Sequence, residues 1–244
     1  MHFLSQVAHW FTTSAHWHGT DGIPHRVLEH VEISVLVMAV AVVVALPIGV
    51  VMGHVGRGGL LAVNVSNIGR AVPSFAVLIV ALQVTHHIGA VPAFIALFFL
   101  AVPPMVTNAY TGVREVDPEL REASTAMGMT GAQTLLRVEL PVALPLIMAG
   151  VRTSAVNVVA TATLAAIVAF GGLGRYILEG IANRDNVEVF SGALLVAVLS
   201  LGTELGLALV QRWITPNGLK PRDSVKNEPI AGAADALRPA PTPP

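Results

Sequence analysis

The chain reads as an all-α, polytopic membrane helix bundle with about five transmembrane helices and a helical insert at the membrane surface. Three observations predict this. Of its 244 residues, 54% are hydrophobic and only 12% are charged, against ~25% charged in an ordinary soluble domain, and the mean hydropathy is +0.70. The apolar residues gather in Ala, Val, Leu and Ile runs long enough for lipid to be their solvent. One stretch, residues 114–141, breaks that pattern with four acidic and three basic residues ahead of its closing Val-Glu-Leu-Pro.

In chain order, residues 1–30 form an external or interfacial segment, because the rings of Phe3, Trp10, Phe11 and Trp17 favour the headgroup region. The membrane domain occupies residues 31–213. Its first span, residues 31–52, follows His and acidic residues and is too long for the apolar core of a signal peptide. The second, residues 60–84, is broken by Gly69, Arg70 and Pro73, so a surface helix before a shorter crossing fits equally well. The third, residues 92–113, contains Pro103 and Pro104, which are expected to kink it. The polar insert 114–141 precedes the fourth span, residues 142–170, and the fifth is residues 189–213. The tail, residues 214–244, is polar and Pro-rich, too poor in apolar surface to offset its ordering entropy, and is read as a disordered cytoplasmic tail. Five spans place ten of the 14 Lys and Arg residues on the side of the insert and tail and three (Arg26, Arg175 and Arg184) on the other. The positive-inside bias then puts the insert and C-terminus in the cytoplasm and the N-terminus outside.

The insert is legible residue by residue. Asp117 caps a helix whose first residue is Pro118, where a missing N–H costs nothing. Glu119 and Glu122 lie toward its positive end. Leu120, Ala123 and Met127 repeat at helical spacing as a narrow apolar stripe, and Gly128 ends the helix in a left-handed conformation. A second helical stretch, residues 132–139, leads into the fourth span. Such a helix-turn-helix, with a small apolar stripe flanked by charges, suits a groove on a soluble partner. The small Ala123 and Ser124 permit close approach, and Glu122 is placed to pair with a partner arginine. A solvated amphipathic loop is the plainer alternative.

The spacing Glu122-Ala123-Ser124, three residues, Gly128, nine residues, Val138-x-Leu140-Pro141 resembles the coupling loop of ABC importer permeases, whose pattern is Glu-Ala-Ala, three residues, Gly, nine residues, Ile-x-Leu-Pro. Ser124 and Val138 depart from it but keep size and helix compatibility. The resemblance extends through P-P-M-V-T-N-A-Y-T-G-V-R before the loop, L-P-L-I-M-A-G-V-R-T-S-A after it and T-A-T-L-A-A-I-V-A-F-G-G-L-G at 161–174, covering residues 29–212 in all. The chain looks like a permease subunit of the osmoprotectant branch (glycine betaine, choline, carnitine or proline betaine), similar in fold to the five-span methionine-type permeases. The resemblance implies an importer in the bacterial cytoplasmic membrane. Its parts are two permease subunits, identical or homologous, two cytoplasmic ATP-binding subunits and an external solute-binding protein. Leu120, Arg121, Glu122, Ala123, Ser124, Met127 and Gly128 would engage the ATPase. The chain has no Gly-x-x-x-x-Gly-Lys-Ser/Thr loop, so ATP and magnesium are expected on the partner and no cofactor on this chain. Another small solute, such as methionine, is the nearest alternative.

Two ionisable residues fall inside spans. Arg152 is about 15 Å along a helix from residue 142, and Glu204 about 12 Å from Arg212; matched depths predict a buried ion pair between the fourth and fifth spans. Asn157, Thr161 and Thr163 are candidates for a translocation pathway or for hydrogen bonds between helices. Phe170, Gly171 and Gly172 are candidates for a gate, or a plain loop. His2, His9 and His16 recur every seven residues, but exposed interfacial roles fit them and His86-His87 better than metal binding. Several classes are excluded or weakened. With no cysteine there are no disulfides or thiolate metal sites. A net charge of −1 without a basic stripe gives no sign of nucleic-acid binding. No enzyme motif is present. A carrier driven by ion gradients would have only Glu204 as a proton relay.

Overall fold

Four apolar runs fold into helices long enough to cross a membrane, in a computed structural model that describes residues 2–59, 64 and 72–215. In chain order the elements are α1 (His2–Thr12), α2 (Ile23–Val55), α3 (Ser74–Thr85), α4 (Ala90–Arg114), α5 (Pro118–Ala126), α6 (Gly131–Val168), α7 (Gly174–Asn183) and α8 (Asn186–Ile214). The long apolar helices are α2, α4, α6 and α8. Helix α3 has 12 residues, about 18 Å at 1.5 Å per residue, short of the ~30 Å hydrocarbon layer. The rest of the second expected span, with Gly69 and Arg70, lies largely outside the described residues, as does nearly all of the tail.

The boundaries differ from the sequence reading in two places. Helix α2 starts at Ile23, with Pro24 in its first turn, so the last residues assigned to the interfacial segment belong to the first long helix. The second half of the insert is not a separate helix: α6 runs from Gly131 through it into the fourth span. Continuity is possible because residues Leu135–Glu139 form a π turn, closed by a hydrogen bond from Leu140 N to Leu135 O. The turn lies directly ahead of Pro141, whose missing N–H already denies the α pattern a bond there. A π turn also explains the burial pattern. Thr134 and Glu139, five residues apart, are both buried, after which Ala143, Ile147 and Gly150 follow at ordinary helical spacing.

The core is the seam where α2, α4 and α6 meet. Val37, Ala41 and Ala45 of α2 pack on Ala101 and Met105 of α4 and on Val158 of α6. Small residues let these backbones approach. A Cβ at Gly49 would lie 2.6 Å from Val106 O and 2.7 Å from Ala109 Cβ, so only glycine lets α2 and α4 touch there. Ser154 of α6 adds a buried hydrogen bond of 2.7 Å to Ala101 O of α4. Helix α3 closes one end through Leu78, against Ala93, Ala96, Ala165 and Val168.

At that end α1 is folded onto the protein. Trp10 is buried with Ile23, Leu173, Tyr176 and Val196, its ring edge-on to Tyr176 at 5.4 Å, while Phe3 and Trp17 remain exposed. His16 packs edge-on against Trp10 at 4.2 Å, and burial lowers its pKa. Among the described residues no group of three or more His, Asp or Glu side chains is placed to hold a metal ion.

Candidate functional site

At the opposite end of the bundle, α5 is built by its own sequence. The Asp117 side chain accepts a 2.9 Å hydrogen bond from Glu119 N, and Pro118 opens the helix. Gly128, at φ +81, ends it. Gly128 N donates to Thr125 O and Met129 N to Ser124 O, the paired bonds of a Schellman cap. Thr130 and Gln133 then form a capping box at the start of α6.

The sequence-predicted coupling residues divide between two faces of this helix. Leu120, Glu122, Ala123, Met127 and Gly128 face outward, with Leu120 45% and Met127 70% exposed. Arg121 and Ser124 turn inward instead. Ser124 is 1% exposed, and its hydroxyl donates to Arg121 O and meets the Thr134 hydroxyl at 3.1 Å. Its small size therefore serves the packing of α5 on α6. The Arg121 guanidinium donates to Val113 O in the last turn of α4, a carbonyl that also accepts from Val116 N, and its Nε lies 3.1 Å from Glu139 Oε1.

Glu139 is the residue that sequence reasoning missed. Its side chain is 2% exposed, and its second oxygen, Oε2, accepts a 2.7 Å hydrogen bond from His54 Nδ1 at the end of α2. The only sequence signal was an acidic residue inside the otherwise apolar Val138-x-Leu140-Pro141.

Within the spans, Asn157 and Thr161 come together with Thr153 on α6. They line a cleft of about 500 Å³ whose other wall holds Pro73 and Ser74 ahead of and within α3, and Pro103 and Pro104 of α4. Asn157 and Thr153 are exposed, an unusual polar stripe on a helix in an apolar bundle. Thr163 is apart from it and bonds Ala160 O.

Phe170, Gly171 and Gly172 do not line this cleft. The Phe170 ring wedges between two core clusters, and the loop is tied to α2. Gly172 N donates to Glu29 Oε2 at 2.9 Å, and Leu173 N to His30 Nδ1 at 3.3 Å. His30 is fully buried and spends its other ring nitrogen on Val159 O at 2.8 Å. Nearby, the Tyr176 hydroxyl donates to Asp21 O at 2.6 Å; burial pushes its pKa up to about 12, so it stays a donor.

Arg152 Nε lies 3.0 Å from Glu204 Oε1. The pair is not buried within this chain: the two side chains are 33% and 39% exposed, because α8 packs on α6 from outside and leaves most of its surface uncovered. Gln211 completes the link, accepting from Arg152 and donating to Pro145 O.

A bundle of apolar helices without its own nucleotide loop, carrying a capped surface helix at one end and a polar-lined cleft between its spans, defines a membrane component of a transport system. The chain belongs to the family of binding-protein-dependent transport system inner membrane components, whose description matches residues 45–217. Among its relatives, the choline transport system permease protein OpuBB of Bacillus subtilis is 38% identical over 196 residues, 80% of this chain and 90% of the relative. The glycine betaine/carnitine/choline transport system permease protein OpuCB of the same organism is 37% identical, covering 79% of this chain and 88% of the relative. The osmoprotectant import permease protein OsmW of Salmonella typhimurium is 32% identical, covering 79% and 91%. A solved structure of the MetNI methionine ABC transporter in an inward-facing conformation shares the fold, with a TM-score of 0.68 at 23% identity over 80% of this chain and 96% of that one.

Proposed function

We propose that the chain is the permease subunit of an ATP-driven importer of small compatible solutes such as glycine betaine, choline or carnitine. The observation that carries this reading is the kinship, over about four-fifths of the chain, with permeases named for those solutes. In this reading two permease subunits enclose the pathway. The cleft with Asn157 and Thr161 is this chain's share of its wall, and an external binding protein delivers the solute. The outer face of α5, on the cytoplasmic side, docks in a cleft of a separate ATPase, which holds ATP and magnesium. The N-terminus is then external and the C-terminus cytoplasmic. ATP-driven closure of the ATPase pair moves the spans between two rigid-body states. Among the described residues the cleft offers small, weakly polar groups and no aromatic cage for a quaternary ammonium ion, which suits a low-affinity passage, with selection residing on the binding protein. Glu204 is held by Arg152, which disfavours a proton-relay mechanism.

The test is uptake into vesicles containing trapped ATP, with the partner subunits reconstituted. Uptake should require ATP and survive an uncoupler. Glu122→Lys, at an exposed position, should lower it about tenfold, equivalent to roughly 1.4 kcal/mol of docking energy, with membrane insertion unchanged and less ATPase co-purifying. Uptake abolished by the uncoupler alone, or normal uptake in Glu122→Lys, overturns the reading.

A further inference from the structure

We propose that Glu139 is the positioning residue that transmits movement of α5 to the membrane spans. The proposal rests on the docking of α5 by an ATPase and adds the route by which force leaves that helix. Among the described residues, the side-chain polar contacts of α5 outside itself are three: Arg121 to Val113 O, Arg121 to Glu139, and Ser124 to Thr134. All lie on its inner face. They lead to the last turn of α4 and the first turns of α6. The Glu139 carboxylate carries the chain one step further, because its other oxygen is held by His54 on α2. Arg121, Glu139 and His54 therefore join α5 to the same ends of the three helices that form the core seam.

The construction is specific. A carboxyl group this buried is tolerable only if both oxygens are engaged, and here each oxygen faces a different helix. The carboxylate can only accept from His54, so Nδ1 carries the imidazole proton. The Arg121 link is electrostatic, since its Nε sits in ion-pair range without an aligned hydrogen bond. It therefore tolerates sliding better than a directional bond would. The π turn supplies the register. One residue is about 100° of α-helical rotation, so only the extra residue between Thr134 and Glu139 keeps both on the inner face with Ala143 and Ile147 below them. Glu139 thus stands at the top of the continuous helix that carries Thr153, Asn157 and Thr161 past the cleft.

The experiment measures solute taken up per ATP hydrolysed in the reconstituted transporter. It compares the wild type with Glu139→Gln, Arg121→Gln, the double variant and His54→Gln. Glu139→Gln should keep the ATPase bound and hydrolysing, while solute per ATP falls about tenfold, within the range for loss of a coupling between two sites. The double variant should lose no more than the worse single variant, because both break one link. His54→Gln, which leaves the Arg121–Glu139 pair intact, should lose less. An unchanged ratio in Glu139→Gln, or uptake and hydrolysis falling in parallel, overturns the proposal. If Glu139→Gln fails to assemble, His54→Gln decides: a lowered ratio supports the relay and a wild-type ratio overturns it. Failure of the docking reading is separately visible, as a wild-type chain from which the ATPase does not co-purify.

Discussion

Arg152 is a charge that an apolar helix tolerates only with company. Its guanidinium bridges Glu204 and Gln211 of α8, so the three side chains pin the C-terminal part of α8 to the middle of α6. Arg152→Leu leaves the Glu204 carboxylate alone in a span, at a cost of about 3 kcal/mol for an unpaired charge near a helix centre. The double variant Arg152→Leu/Glu204→Leu should recover most of that loss. Thermal unfolding of the detergent-purified protein reads both. Equal loss in single and double variants would show that the loss does not come from a stranded Glu204 carboxylate. This juxtaposition was legible in the sequence because depth along two long helices is simple arithmetic. The Glu139–His54 contact was not. Its partners are 85 residues apart, each lies near a helix end where depth is uninformative, and the π turn that aims Glu139 inward has no signature in hydrophobic periodicity. The same blindness covers His30, whose two hydrogen bonds reach 129 and 143 residues along the chain.

Helix α5 shows which part of an element its own sequence decides. Its limits were readable because caps are local: Asp117, Pro118 and Gly128 act on backbone groups within a few residues. Which side faces inward depends on Thr134, Val113 and Glu139, and so the residues taken for one docking surface separated into an outer set and an inner set. The C-terminal cap gives a sharp expectation. Gly128 holds φ +81 and donates its N–H to Thr125 O. Gly128→Pro forbids the first, since proline is fixed near φ −65°, and removes the second. Gly128→Ala asks only for a left-handed alanine, about 1 kcal/mol. ATP-dependent uptake should therefore drop about tenfold or more in the proline variant, the loss expected of a severed coupling, and far less in the alanine variant, at equal amounts of protein in the membrane. Equal activity of the two would mean that the end of α5 need not be ordered.

Across the whole bundle, the exposed surfaces sort by polarity, and in a membrane that sorting is an assignment. Val198, Leu201, Leu205 and Leu209 form an exposed apolar stripe along α8, for which lipid is an adequate neighbour. Thr153 and Asn157 form an exposed polar stripe on α6, opening into the cleft with Ser74. Polar side chains facing hydrocarbon are costly, so such a stripe belongs against water or another subunit. The chain contains no cysteine, which makes the distinction easy to read: a single introduced thiol is the only one present in this subunit. Asn157→Cys in the assembled transporter should react with a membrane-impermeant maleimide, and the added solute should slow the reaction. Leu201→Cys should stay unreactive until detergent is added. Cysteine is close in size to Asn157, and Leu201 is 59% exposed, so its truncation opens no core cavity and assembly should survive both replacements. A reactive Leu201→Cys beside a silent Asn157→Cys would reverse the assignment of the two faces and move the pathway to the α8 side of the bundle.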